Sequence, residues 1–227
     1  MSIHITFYKP VDYFSGLFNR FAAWLTWGDY CHCELVVKTS PTEIMNTVKE
    51  IYQAAQKGNY APEDCNRIIS QIEMAFFDTG FRKLAQSSDT LTLSFSQILG
   101  QKMAVRSLTK TAHDTWFKLP TGEDNYVDIA DGPQITEKQR TETLRFAIEE
   151  LGKDYDTSGA LCSWLPFSSS HRADIYETWF CSEFVVTAFQ RIGFAKSLDA
   201  KRTTPNSLYH FVKDGFASQS INTLNAE

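Results

Sequence analysis

The chain has no apolar run of about 18 residues or more, so a simple transmembrane helix is not expected. Its opening, MSIHITFYKP, lacks the basic start and long apolar stretch of a secretory leader. The expected location is therefore a reducing compartment, the cytoplasm. There is no excess of positive charge: 22 Lys and Arg stand against 27 Asp and Glu, and the net charge of -5 argues against a nucleic-acid partner. Cysteine is sparse and odd in number, at positions 31, 33, 65, 162 and 181, which argues against a disulfide framework. Cys31 and Cys33 bracket His32, but no second C-x-x-C or H-x-x-x-H pair completes a ligand set. Strand alternation also sends neighbouring side chains to opposite faces, so no metal and no cofactor are expected. Repeats and low-complexity tracts are absent too.

What is present is a core-forming composition. Apolar residues make up 43% and aromatics 14% of 227 residues, enough for one domain with its own core. His4 to Tyr8 reads as a strand. Phe14, Leu17, Phe18, Phe21, Ala22 and Leu25 recur three and four apart and predict a helix over 11–27, stopped by Gly28 and Asp29. CHCELVVK (31–38) is a good strand. Ser40-Pro41 with Glu43 opens a helix running to about Lys57, and a second is expected from Glu63 to Phe77. Thr90 to Phe95, Ala104 to Leu108 and Thr115 to Leu119 are strand candidates, and 119–132 reads as polar turns. A helix follows Thr136, with Leu144, Ala147, Ile148 and Leu151 on one face and Gly152 as its stop. Residues 154–171 read as an irregular loop. WFCSEFVVTAFQRI (179–192) is the last strong helix, ended by Gly193, and the polar tail is expected to be flexible.

Cys181 lies in the first turn of that helix. Unpaired N–H groups and partial positive charge there favour thiolate over thiol and can hold an oxyanion. Position alone leaves open that Cys181 is a small buried hydrophobe. His32 opens a strand, and a base at a strand end facing a nucleophile at a helix start is the Cys–His arrangement of papain-like enzymes. Glu34 shares a strand face with His32, where it can orient the imidazole, while Cys31 and Cys33 point the other way. The alternative is a solvated polar face of an edge strand. Leu35, Val36 and Val37 favour a buried strand, and a buried His and Glu need a reason.

CHCELVV and WFCSEFVVTAF resemble the H-x-E strand and C-S-E helix of circularly permuted NlpC-type papain-fold proteins. That group includes YiiX- and YaeF-like amidases, relatives of lecithin–retinol acyltransferase, and phage and large-DNA-virus proteins. The histidine precedes the cysteine, as in the permuted order. GKDYDTSGAL resembles the Gly-x-x-Tyr stretch before the nucleophile, and TTPNSLYHF resembles the T/S-P-N-x-L segment after it. Residues of about 40–86 match nothing in the pattern and read as a helical insertion or cap.

The resemblance implies an α+β permuted papain-like domain over 1–218, with a tail at 219–227. Its antiparallel sheet, small and barrel-like, would pack against the cysteine-bearing helix. It implies a thiol hydrolase, an amidase or peptidase or a lipid ester or amide hydrolase, working through a covalent acyl-enzyme. Cys181 is then the nucleophile, His32 the base and Glu34 the orienting carboxylate. Tyr155 and Ser182 are the expected substrate or oxyanion groups, Asp156 a turn or cap residue, and Glu183 a helix anchor. The partner is a peptide or lipid acyl substrate. Acyl transfer to a lipid, or an idle binding or virion protein with the same fold, are the alternatives. The ALCSWLPF stretch (160–167) is packed core or, if exposed, a lipid-site wall or peripheral membrane contact. His113, His171, His210, Cys65 and Cys162 carry no expected chemistry.

Overall fold

The computed structural model describes residues 2–10, 28–96, 102–107, 127–156, 159–160, 163 and 178–224. The expected helix over 11–27, the strand over 115–119, Cys162, and most of the 160–167 stretch lie outside them. The architecture is α+β, with a five-stranded antiparallel sheet carrying helices. Its strands are β1 (Ile3–Tyr8), β2 (His32–Thr39), β3 (Leu91–Ser96), β4 (Ala104–Ser107) and β5 (Val127–Asp131), in the order β4-β3-β2-β1-β5. The helices are α1 (Pro41–Gln56), α2 (Pro62–Phe76), α3 (Thr79–Ser87), α4 (Glu137–Glu149), α5 (Cys181–Arg191) and α6 (Pro205–Leu224).

The sheet is open, which corrects the barrel-like expectation. Among the described residues β4 and β5 are its edges and do not pair with each other. Both are short, four and five residues, and closure needs enough tilted, staggered strand to bring the edges round. β2 is the middle strand, paired with β1 and β3. This explains its composition: all but Lys38 of its eight residues are buried. Leu35, Val37 and Cys33 join Ile5, Phe7, Leu93 and Phe95 in the core, covered by Phe184, Val185 and Phe189 of α5. The opposite face of β2 carries His32, Glu34 and Val36, also buried.

β5 falls in a segment whose sequence reads as turns. Its polar residues do edge work: Asp128 accepts a hydrogen bond from Tyr30 Oη and lies 3.5 Å from Lys9 Nζ, and Asp131 lies 2.9 Å from His4 Nδ1. Polar side chains on an edge strand discourage further pairing. A second, two-strand parallel sheet joins β6 (Asp154–Tyr155), where an irregular loop is expected, to β7 (Thr178–Trp179), which takes Trp179 out of the helix expected to start there. Such short strands leave no periodic signal.

The insertion holds three helices rather than two. Ser40 caps α1 by accepting from Glu43 N at 3.1 Å, with Pro41 in the first turn. Glu43 in turn pairs with Arg140 of α4 at 2.9 Å and accepts from Thr141 Oγ1 at 2.7 Å. Arg67 of α2 donates to the carbonyls of Glu149 and Leu151, and Tyr60 donates to Glu149 at 2.7 Å. Ile44, Val48, Ile51, Ile68 and Ile72 are fully or almost fully buried in the same core as Leu144 and Ile148. These helices are thus part of the core, anchored on α4. α4 itself starts with a reciprocal capping box between Thr136 and Gln139, and Gly152 follows it at φ +81°. α6 runs to Leu224, past the start of the expected flexible tail. Among the described residues, no helix is long and apolar enough to cross a membrane.

Candidate active site

Cys181 is the first residue of α5, and Phe180 before it supplies no side-chain cap. The helix start therefore turns main-chain N–H groups, rather than a capping hydroxyl, toward the cysteine. Three contacts fix this start. Trp179 Nε1 donates to Glu150 Oε2 at 2.7 Å, and Lys153 Nζ lies 2.5 Å from the same carboxylate. Ser182 Oγ donates to the Thr203 carbonyl at 2.6 Å. Ser182 is fully buried, so its hydroxyl is committed to the fold, and only its main-chain N–H remains for an oxyanion. That narrows the role expected for Ser182.

The histidine side is fixed from across the chain. Asn206 of the Thr-Pro-Asn segment accepts from Tyr30 N at 2.8 Å and donates to Tyr30 O at 2.9 Å. These two hydrogen bonds lock the backbone two residues before His32. A Cβ on Gly28 would lie 2.2 Å from Asn206 Oδ1, so glycine here makes room for the clamp.

His32 and Cys181 are both buried and near enough to shift each other's titration. His32 Nε2 lies 3.4 Å from Glu34 Oε1 and 3.5 Å from Ser96 Oγ. Glu34 is itself cradled: its Oε2 accepts from Ser94 Oγ at 2.6 Å and Tyr8 Oη at 3.0 Å. Hydroxyls from β1 and β3 thus hold the carboxylate beside the imidazole, and all three side chains of the Cys–His–Glu row are at most 5% exposed.

The electrostatics follow from this burial. Cys181 is held well below an ordinary thiol by a hydrogen bond from the Cys33 thiol and by the His32 imidazolium, which together outweigh burial. Burial opposes charge on His32, but the Cys181 thiolate and Glu34 raise it to about 9. Burial likewise opposes charge on Glu34, yet His32, Ser94 and Ser96 lower it to about 2. The stable form is a row of thiolate, imidazolium and carboxylate. Burial and then the negative Cys181 push Cys31 up to about 12, so that thiol stays protonated.

Cys33 is the functional neighbour that strand alternation did not single out. It lies on the core face, opposite His32, as alternation requires, and yet it also reaches Cys181, because α5 begins over this end of β2. Its thiol and main-chain N–H favour charge on Cys181. Tyr155 is half-buried in β6; after burial, the charge of Cys181 is the main cause that raises its hydroxyl, so the two are close. Asp156 acts as a turn residue, accepting from Gly159 N at 2.7 Å. Glu183 is buried on α5. Among the described residues, no group of three or more His, Cys, Asp or Glu side chains is arranged to hold a metal ion. Cys31 turns its S–H to the Tyr8 carbonyl at 3.4 Å instead. Cys65 likewise donates to Tyr60 O, and His210 is exposed on α6.

Comparison with known protein families, curated proteins and solved structures finds no match for this chain.

Proposed function

We propose that this chain is a thiol hydrolase of the circularly permuted papain-like kind, cleaving an amide or ester of a peptide or lipid acyl substrate. The observation that carries this reading is the buried His32–Glu34 pair, 3.4 Å apart, whose imidazole is near enough to the helix-start Cys181 for each to favour charge on the other. The chain order of histidine strand, sheet, helix, tyrosine strand, cysteine helix and Thr-Pro-Asn clamp supports the permuted arrangement.

In this reading the Cys181 thiolate attacks the substrate carbonyl carbon. Main-chain N–H groups at the α5 start, with Tyr155 beside them, stabilise the oxyanion. The His32 imidazolium gives its proton to the leaving amine or alcohol as the carbon–leaving group bond breaks. Glu34 keeps the ring oriented and supports its positive form. His32, now neutral, takes a proton from water, which attacks the acyl-enzyme and releases the acid and Cys181. An acceptor other than water would make the same site an acyltransferase, so the acceptor alone separates the two outcomes.

The test is intact-mass analysis after mixing with an activated acetyl ester. One acetyl group should appear on Cys181 and decay as acetate is released. Cys181→Ala should show neither. Turnover by Cys181→Ala equal to wild type would overturn the reading. Panels of peptide amides and lipid esters then give the substrate class.

A further inference from the structure

A second row of hydroxyl, imidazole and carboxylate stands at the far end of β1 and β2. Ser2 Oγ and His4 Nε2 are 2.6 Å apart, and His4 Nδ1 lies 2.9 Å from Asp131 Oδ1. A carboxylate can only accept, so Nδ1 carries the hydrogen and Nε2 of the neutral ring accepts from the Ser2 hydroxyl. The order of atoms is that of a serine nucleophile, its general base and the carboxylate that fixes the base's tautomer. The sheet builds this row. Ser2 and His4 are two residues apart and share a face of β1, and Asp131 of β5 lies directly opposite His4. Gly132 N donates to the Ile3 carbonyl at 2.9 Å, and a Cβ on Gly132 would come 2.8 Å from that oxygen, so glycine lets the end of β5 close on β1. Lys38 N donates to the Ser2 carbonyl at 2.8 Å, which sets Lys38 of β2 opposite Ser2. The Lys38 side chain is exposed on the same face, and no ion pair among the described residues claims it. We propose that Ser2 is a second, surface nucleophile that accepts acyl groups from small, unhindered carboxylic esters, with His4 as its base, Asp131 as the orienting carboxylate and Lys38 as the cation beside the oxyanion.

This row is separate from the Cys181 site: Lys38 is six residues along β2 from His32, about 20 Å at strand spacing. Ser2 Oγ attacks the ester carbonyl carbon as its proton passes to His4 Nε2, and negative charge gathers on the carbonyl oxygen beside Lys38. The tetrahedral intermediate then collapses. The bond to the leaving oxygen breaks, and His4 returns the proton to that oxygen, giving acyl-Ser2 and an alcohol. Water, giving a proton to His4 in its turn, cleaves acyl-Ser2 to the acid and restores the hydroxyl. No electrons are gained or lost, and water is the sole co-reactant. The Asp131 side chain is 91% exposed and that of His4 27%. Solvent therefore screens the charge that supports the protonated ring, unlike in a closed site. Such a row suits activated esters with good leaving groups rather than amides.

The experiment uses the full chain, as wild type and as Cys181→Ala, so that the outcome does not depend on the reading of the Cys181 site. A fluorophosphonate is the first probe: the serine oxygen displaces fluoride from phosphorus and leaves a stable phosphonyl ester. Mass spectrometry of the labelled peptide, with fragmentation to separate Ser2 from Thr6 and Tyr8, locates the group. The expected result is one phosphonyl group on Ser2 in both proteins. His4→Gln should slow labelling on the order of 10²-fold. Asp131→Asn should slow it by less, because the ring keeps its contact with Ser2. p-Nitrophenyl acetate should acetylate Ser2 in the Cys181→Ala chain, and adding Ser2→Ala should remove that acetyl group. Labelling of Ser2 no faster than that of the exposed Ser87, or a Ser2 rate unchanged by His4→Gln, overturns the proposal. The comparison of Ser2 with Ser87 is made within the wild-type chain, so it decides even if a variant misfolds.

Discussion

His32 Nε2 lies 3.4 Å from Glu34 Oε1, two residues along one buried strand. The distance is longer than an ideal charge-assisted bond, but both groups are almost wholly out of water, where a pair separation of this size still carries weight. Removing one partner leaves the other charge buried, which typically costs about 3–5 kcal/mol. Glu34→Gln should therefore lower stability by about 3 kcal/mol in urea titrations, slow acylation on the order of 10²-fold, and bring His32 down from about 9 toward its ordinary value. Imidazole titration by NMR checks the last effect, which mere loosening of the fold would not produce.

The pH dependence of stability has a definite sign. His32 titrates higher folded than unfolded, so its contribution is full below about 6.5 and is lost as pH rises through about 9. Glu34 titrates lower folded than unfolded, so its contribution is present above about 4.5 and is lost as pH falls toward about 2. Unfolding free energy measured across pH should fall toward acid and stay nearly level through the alkaline range, where the Cys181 thiol, held low in the fold, gains what His32 loses. Glu34→Gln should flatten the acid limb below about 4.5.

Asn206 and Gly28 form one device. Asn206→Ala removes two hydrogen bonds to the Tyr30 backbone. Unmet buried groups cost about 1–3 kcal/mol each, so about 2–4 kcal/mol of stability should be lost, together with much of the acylation rate. Gly28→Ala should cause a loss of the same kind by pushing Asn206 aside. The double variant should be clearly less damaged than the sum of the two, because both break the same contact.

Ser182 and Tyr155 should separate. Ser182→Ala loses the bond to Thr203 and should cost about 1 kcal/mol of stability with little change in acylation. Tyr155→Phe should leave stability nearly unchanged and slow acylation, since its hydroxyl sits by the nucleophile. Equal effects of the two on rate would remove Tyr155 from the oxyanion region.

Much of this site was legible in the sequence because it depends on local pattern. A cysteine after a helix-start signal and a His-x-Glu pair on an apolar strand require only periodicity of 3.6 and 2. Ser40, Thr136 and Gly152 mark their helix ends by capping chemistry that acts within a few residues. What escaped depends on which strand lies beside which. The Ser94 and Tyr8 hydroxyls reach Glu34 only because β3 and β1 flank β2 in this register. Cys33 comes near enough to feel the charge of Cys181 only because α5 packs on β2. β5 escaped because only Val127 and Ile129 of its five residues are large and apolar, too few to stand out among polar neighbours, and its identity comes from pairing with β1.

The claim on which the rest depends is that Cys181 is a thiolate held by His32. Ultraviolet thiolate absorbance, titrated from acid to alkali on wild type, Cys181→Ala and His32→Gln, measures it directly. One thiolate is expected in the wild type well below the ordinary thiol range near 8.5, absent in Cys181→Ala and shifted upward in His32→Gln. Superimposed titrations of wild type and Cys181→Ala below about pH 7 would contradict it.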